Sequence, residues 1–340
     1  MNILQAIEDD QLFAPWFRDR ETWGAWEAFL AALFGLPLTD RQADLYRRHT
    51  GRSEAPEGPQ DEAWLIVGRR GGKSFVMALT AVYLACFREY RSRLQPGERA
   101  TVMVIAADRR QARVIFRYIA ALLNRIPMLE RLIERETTDT FDLSNMVTIE
   151  VGTASFRTTR GYTFAAVLCD EIAFWRTEDA AEPDEEILRA IRPGMATIPG
   201  AVLLCASSPY ARRGALWSAF RRYFGRSDKP LVWRATTRDM NPTVAQSYID
   251  EALEEDRASA SAEYLAEFRA DIEDFVSLEV VEACIEPGVT ERGRLWGQSY
   301  RAFVDPSGGS NDAMTLAIGH TGKSGAVLDL LRERKAAILA

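Results

Sequence analysis

The spacing of apolar and polar positions changes several times along the chain, and each change marks an element. Residues 11–35 carry Trp16, Trp23, Trp26, Phe29, Leu30, Leu33 and Phe34 at roughly helical intervals. This predicts an amphipathic helical lead-in whose stripe is core packing. Leu38-Thr39-Asp40 gives an N-cap signal for a helix through Arg48, and a Gly/Pro/Glu-rich loop covers 51–61. From there the pattern repeats as strand, loop, helix. Residues 63–67 are an apolar run ending in glycines, 75–87 a long apolar helix, 101–106 a strand and 109–124 a helix. Residues 146–151 and 154–156 predict a hairpin around Gly152, and 164–169 and 201–206 are further buried strands. Strands alternating with helices imply an α/β fold with a mostly parallel sheet covered on both faces.

An acidic helical stretch over 243–271 closes this layer. Residues 272–298, with Pro287, Gly288, Gly293 and Gly297, read as a linker. Strands at 300–304, 315–319 and 326–331 open another unit, whose roughly 40 residues are too few to close a core. The predicted organisation is therefore a lead-in over 1–60, a core with a helical subdomain over 61–271, a linker over 272–298 and an incomplete unit over 299–340.

Composition narrows the function classes. At 340 residues and 47% hydrophobic, the chain suits a globular protein with a sizeable core. No run reaches the ~18 apolar residues of a membrane span, and the acidic start MNILQAIEDDQ is unlike a secretory signal. Cytoplasm is the expected location. Cys86, Cys169, Cys205 and Cys284 lie far apart, and His49 and His320 are the only histidines. Neither a zinc site nor a redox pair follows from such spacing. The net charge of −7 is unlike that of a nucleic-acid-binding protein, yet residues 209–238 hold eight Arg/Lys against Asp228 alone. That stretch reads equally as a phosphate-holding surface or as a solvated helix face.

The chemistry concentrates in two places. Gly68-Arg69-Arg70-Gly71-Gly72-Lys73-Ser74 follows a strand and opens a helix, the context that the phosphate-loop pattern requires. Its glycines let backbone N–H groups point inward at phosphates. Lys73 would reach the β- and γ-phosphates of ATP, and the Ser74 hydroxyl would ligate Mg²⁺. Val67 replaces the pattern's first glycine, with Gly68 one place later. The second place is an apolar strand ending in Asp170-Glu171. A phosphate-loop ATPase needs an Asp near its Mg²⁺ and a Glu to polarise the attacking water, roles that suit Asp170 and Glu171. Arg157 and Arg160 precede that strand, and an arginine at the γ-phosphate stabilises transition-state charge. Ser207-Ser208 ends the strand at 201–206, where a polar tip can sense whether ATP is intact. Gly322-Lys323-Ser324 mimics the pattern but precedes a strand, and it reads as a hairpin turn.

As an ordered set, the sequence resembles the large terminase subunit of tailed bacteriophages over about 36–320. The likeness rests on GRRGGKS (68–74), RGYTFAAVLCDEIAFW (160–175), AIRPGMATIPGAVLLCASSPYARRG (190–214), RDMNPTV (238–244), AEYLAEF (262–268) and YRAFVDPSGGSNDAMTLAIGH (300–320). It implies an ASCE-type P-loop NTPase that moves double-stranded DNA into a procapsid. The motor would act as a homo-oligomeric ring with a small terminase subunit and a portal protein, in an infected bacterial cell. By resemblance, Gly68, Arg69, Arg70, Gly71, Gly72, Lys73 and Ser74 bind the nucleotide, with Arg69 on the γ-phosphate, and Gln42 reads adenine. Ser207 and Ser208 couple hydrolysis to movement. Arg160 is in the place of the arginine finger given to a neighbouring subunit, with Arg157 its rival. The family's RNase H-like nuclease cuts concatemeric DNA with acidic residues on two Mg²⁺ ions. Asp305 resembles the first of those acids and Asp312 is a weaker candidate. The remaining acids belong beyond Ala340, so the chain is expected to be a truncated product unable to cut. Two other readings compete: a helicase-like ATPase, which normally needs a second motor domain, and a nucleotide-binding scaffold, which Glu171 argues against.

Overall fold

The computed structural model describes residues 1–154, 161–175, 183–228, 230–269, 282–305, 313–322 and 325–334. The chain divides into two compact units, Met1–Glu273 and Asp274–Ala340.

The first unit opens with α1 (Ile3–Glu8), two short 3-10 turns, and α2 (Gly24–Leu33). The helical lead-in expected over 11–35 thus consists of these turns followed by α2. Helix α2 is buried on nearly every side, so it is a core element. Helix α3 (Asp40–Thr50) starts in a capping box: the Thr39 side chain accepts from the Gln42 N–H while the Gln42 side chain accepts from the Thr39 N–H. The alternating part then runs β1 (Glu62–Val67), α4 (Lys73–Phe87), β2 (Ala100–Ala106), α5 (Arg109–Arg125) and α6 (Pro127–Glu130). It continues through β3 (Ile133–Glu136), β4 (Thr140–Leu143), β5 (Val147–Thr153), β6 (Thr163–Asp170) and α7 (Pro183–Met195). The remainder is β7 (Val202–Ser207), α8 (Gly214–Tyr223), β8 (Leu231–Ala235), α9 (Thr237–Met240), α10 (Gln246–Glu255) and α11 (Arg257–Leu265).

These strands form an eight-stranded sheet in the order β3-β4-β5-β2-β6-β7-β1-β8. Pairing is parallel from β5 to β8 and antiparallel only where β3 and β4 join one edge. Alternate residues of the central parallel strands enter different cores, as a two-sided sheet demands. In β1, Ala63, Leu65 and Val67 face a core with α2, α4 and α5. Trp64 and Ile66 face another with α7 and α8.

The hairpin expected around Gly152 is not formed. Gly152 sits inside β5, opposite Ile105 of β2 in a parallel ladder. Val147, Ile149 and Val151 point inward along that strand, and this alternation outweighs the turn preference of one glycine. Ala154 bonds to the Ala106 carbonyl, and the proposed second arm at 155–156 lies outside the described residues. Strands β3, β4 and β8 were not expected.

In the second unit, β9 (Tyr300–Asp305), β10 (Met314–Gly322) and β11 (Gly325–Arg334) form an antiparallel sheet in the order β11-β10-β9. Strands β10 and β11 stay paired as far as Gly322 and Gly325. Lys323 and Ser324 lie outside the described residues. Among those described, no helix is long and apolar enough to cross a membrane.

Candidate nucleotide site

Strand β7 lies between β1 and β6, so the tips of all three strands open side by side. The tip of β1 carries the loop 68–72 and then Lys73, the tip of β6 carries Asp170 and Glu171, and the tip of β7 carries Ser207 and Ser208. In parallel sheets this carboxyl edge is where ligands bind.

Side chains from the three tips meet. The Lys73 ammonium donates to the Val67 carbonyl at 2.9 Å and to Ser208 Oγ at 3.0 Å, and lies 3.4 Å from Glu171 Oε1. Lys73 is 5% exposed, so this cation is held by close partners and not by water. Glu171 Oε2 accepts from Ser207 Oγ at 3.0 Å and from the Ser208 backbone N–H at 3.1 Å. The Glu171 backbone is left-handed, with φ of 51°, a conformation that costs a non-glycine residue roughly 1 kcal/mol or more. Strain of that kind persists where neighbours fix a side chain in place, as the two serines do here.

Ser74 Oγ donates to Asp170 Oδ2 at 3.3 Å. Asp170 is 1% exposed. Burial, reinforced by the neighbouring Glu171 carboxylate, pushes its carboxyl up to about 7 against the opposing pull of Lys73 and the Ser74 hydrogen bond. Asp170 Oδ1 is buried and has no hydrogen-bond partner. A buried carboxylate oxygen left over beside a serine hydroxyl suits a Mg²⁺ ion, which takes one or two protein oxygens and completes its shell with phosphate and water. Among the described residues no cluster of three or more His, Cys, Asp or Glu side chains could hold a metal by itself.

The loop itself is braced from outside. Thr237 Oγ1 donates to the Arg69 carbonyl at 2.7 Å, Asn241 Nδ2 to the Arg70 carbonyl at 2.8 Å, and Trp26 Nε1 to the Gly71 carbonyl at 2.8 Å. In a trans peptide unit the N–H points opposite to the C=O. Fixing these carbonyls outward therefore aims the Arg70 and Gly72 N–H groups the other way, while the Gly71 N–H closes a turn on the Gly68 carbonyl. The displaced glycine of the motif also finds its reason. Val67 is the last residue of β1 and pairs with Ala235. The close approach falls at Gly68, where a Cβ would lie 2.4 Å from Thr237 Oγ1 and 2.8 Å from the Tyr264 carbonyl.

Not every expected residue joins the cluster. Arg69 is 62% exposed at its side chain and bonds to Glu263 of α11 at 2.8 Å. The Gln42 carbonyl oxygen is engaged in capping α3. Asp305 ends β9 in the second unit, exposed and paired with Thr315. Arg157, Arg160 and Asp312 lie outside the described residues. Sequence reasoning missed Trp26, Thr237, Asn241 and Glu263. The last two lie in segments that carried the family likeness, whereas Trp26 was read as core packing alone.

Residues 65–183, which span the loop and the acid pair, match the family model "Terminase large subunit, T4likevirus-type, N-terminal". This segment belongs to the large terminase family. No curated protein sequence matches the chain. The large terminase of bacteriophage HK97 shares its fold, with a TM-score of 0.53 and 18% identity over 79% of this chain. The chain spans 59% of that protein's length. The ATPase domain of the Thermus phage P74-26 large terminase aligns with a TM-score of 0.48 and 17% identity, covering 71% of this chain and 97% of that one. The terminase segment therefore runs from β1 to the start of α7 and includes two of the three strand tips.

Proposed function

We propose that this chain is the Mg²⁺-dependent ATPase of a DNA-packaging motor, in which ATP hydrolysis drives double-stranded DNA into a viral procapsid. The observation that carries the reading is the convergence of Lys73, Ser74, Asp170, Glu171 and Ser207–Ser208 at neighbouring strand tips. In this reading the inward N–H groups of Arg70 and Gly72 and the Lys73 ammonium bind the phosphates. Ser74 and Asp170 hold Mg²⁺, which when bound neutralises charge on the β- and γ-phosphate oxygens. Glu171 orients the attacking water and accepts its proton, and the two serines keep its carboxylate in place. Because Ser207 and Ser208 also end β7, a change at Glu171 is felt at once by a core strand, which supports a coupling role.

Arg69 bonded to Glu263 has a long, exposed side chain beside the loop, and it acts on the γ-phosphate once released. Arg160 supplies the finger to a neighbouring copy, which makes the working form a ring. Gln42 serves the adenine side through its amide. Double-stranded DNA, a small terminase subunit and a portal protein are the partners, in the cytoplasm of an infected bacterium. Asp305, at the end of the first strand of an antiparallel sheet, supports a metal-dependent nuclease in the second unit.

The test is phosphate release by purified protein. Glu171→Gln should bind ATP yet lose turnover by about 10²-fold or more, whereas Lys73→Ala should lose both. Turnover left intact in Glu171→Gln would overturn the assignment.

A further inference from the structure

Residues 209–238 are rich in Arg and Lys, but several of these cations are engaged within the fold. Arg212 and Arg221 lie over the Trp217 ring. Arg234 lies over Phe220 and bonds to the Ala266 carbonyl, and Arg238 bonds to Gln246. Helix α5 is the opposite case. Its length of about 25 Å carries Arg109, Arg110, Arg113, Arg117 and Arg125, and no acid occurs between 109 and 129. All of these arginines are exposed. Among the described residues their side chains bond only to helix carbonyls, Arg113 to Arg109 and Arg117 to Arg113. Among the described residues no acid is ion-paired with them; Glu134 of β3 is turned to Arg99, and Glu136 to Asn124.

We infer that the outer face of α5 is the surface that grips the phosphate backbone of duplex DNA. This rests on the DNA-motor reading above. Arg109, Arg113 and Arg117 stand one above another at steps of about 6 Å along the helix. Such a row of guanidinium groups, free of interspersed acids, matches a polyanion with one charge per ~1.7 Å of axis and reads no base. The flanking Tyr118 is 41% exposed. Its ring packs edge-on at 5.6 Å against Phe75, the residue after Ser74. The gripping helix thereby leans on the first turn of the helix that begins at the phosphate loop, and its N-terminus follows β2, the strand beside Asp170. The face is local and strongly positive on a chain whose net charge is −7, so it can act at short range without making the protein generally sticky to anions.

The experiment is binding of the full chain to a short fluorescent duplex of arbitrary sequence, followed by anisotropy across a salt series. The variants are Arg113→Gln with Arg117→Gln, and, in the other basic stretch, Arg222→Gln with Arg226→Gln. Each lost phosphate contact should flatten the log–log salt slope by about 0.9 and weaken binding about 8-fold near 0.1 M salt. The α5 pair should therefore lose on the order of 60-fold, with thermal unfolding unchanged, while the other pair loses little. Equal binding and equal slope in the α5 variant would overturn the surface assignment and leave the DNA reading standing. A native chain that hydrolyses ATP but binds no duplex at any salt would overturn both. Loss of self-association with duplex affinity intact would identify the face as a contact with the acidic helices of a second copy, and would also overturn the inference.

Discussion

The hydrogen bond from Trp26 to the Gly71 carbonyl should control nucleotide affinity, and its removal can be worked through. Trp26→Phe keeps an aromatic ring in the core but deletes the donor. The Gly71 carbonyl then sits beside a buried, apolar edge, which costs about 1–3 kcal/mol for an unsatisfied group. The smaller ring leaves a cavity of a few tens of Å³, adding about 1 kcal/mol. The sum of roughly 2–4 kcal/mol should lower Tm by about 3–7 °C for a unit of this size. The cavity part is general, but the carbonyl part acts on the loop, where freedom to rotate the 71–72 peptide turns the Gly72 N–H away from a phosphate. Losing about 1–3 kcal/mol of bracing weakens ADP binding by about 5- to 150-fold. The assay is titration calorimetry with ADP and Mg²⁺ beside thermal unfolding. Phe29→Leu is the control, because Phe29 packs on the Trp26 ring at 6.0 Å but offers the Gly71 carbonyl no donor. It should cost similar stability and leave ADP affinity unchanged. If both variants lose stability alike and bind ADP alike, the bond is only structural and the bracing argument fails.

Two further outcomes follow from the same geometry. Gly68→Ala places a Cβ within 3 Å of Thr237 and the Tyr264 carbonyl and should reduce both stability and ADP affinity, whereas Gly58→Ala, with nothing within 4 Å, should be silent; equal effects at the two positions in parallel melts would refute this. Burial lowers the pKa of His49 below the usual histidine value. Below about pH 6.5 the unfolded chain takes up a proton that the folded chain resists, so stability falls as pH drops from there toward the folded value, and the group contributes nothing at higher pH. Urea unfolding of His49→Phe should show a flatter acid limb than the parent, and an unaltered slope would dismiss His49 as its source.

The parts of the site that were legible in the sequence are local ones. Lys73 and Ser74 follow a strand and open a helix, and Asp170 and Glu171 end an apolar run, so a short window fixes each context. The family match over 65–183 spans the same two windows. What brings them together is not local: β7 comes later in the chain yet inserts between β1 and β6. The braces were illegible for the same reason, since an indole at 26 and an amide at 241 announce nothing about a loop at 70. Strand β8 was hidden inside a run read only for its arginines, although Leu231, Val232 and Trp233 are fully buried. Charge counting weighed the stretch after 209 more than helix α5. It could not see that Arg212, Arg221 and Arg234 lie over aromatic rings, while an amphipathic helix turns those of 109–125 outward.

Three consecutive loop carbonyls are tied to partners 45, 168 and 171 positions away in sequence. During synthesis, then, the cradle stays loose until the chain has grown past Asn241 and the ends of the unit have closed around it. A fragment cut to the stretch between the two motifs would retain both of them and still lack the grip, because what shapes the loop is supplied by residues that lie outside that stretch.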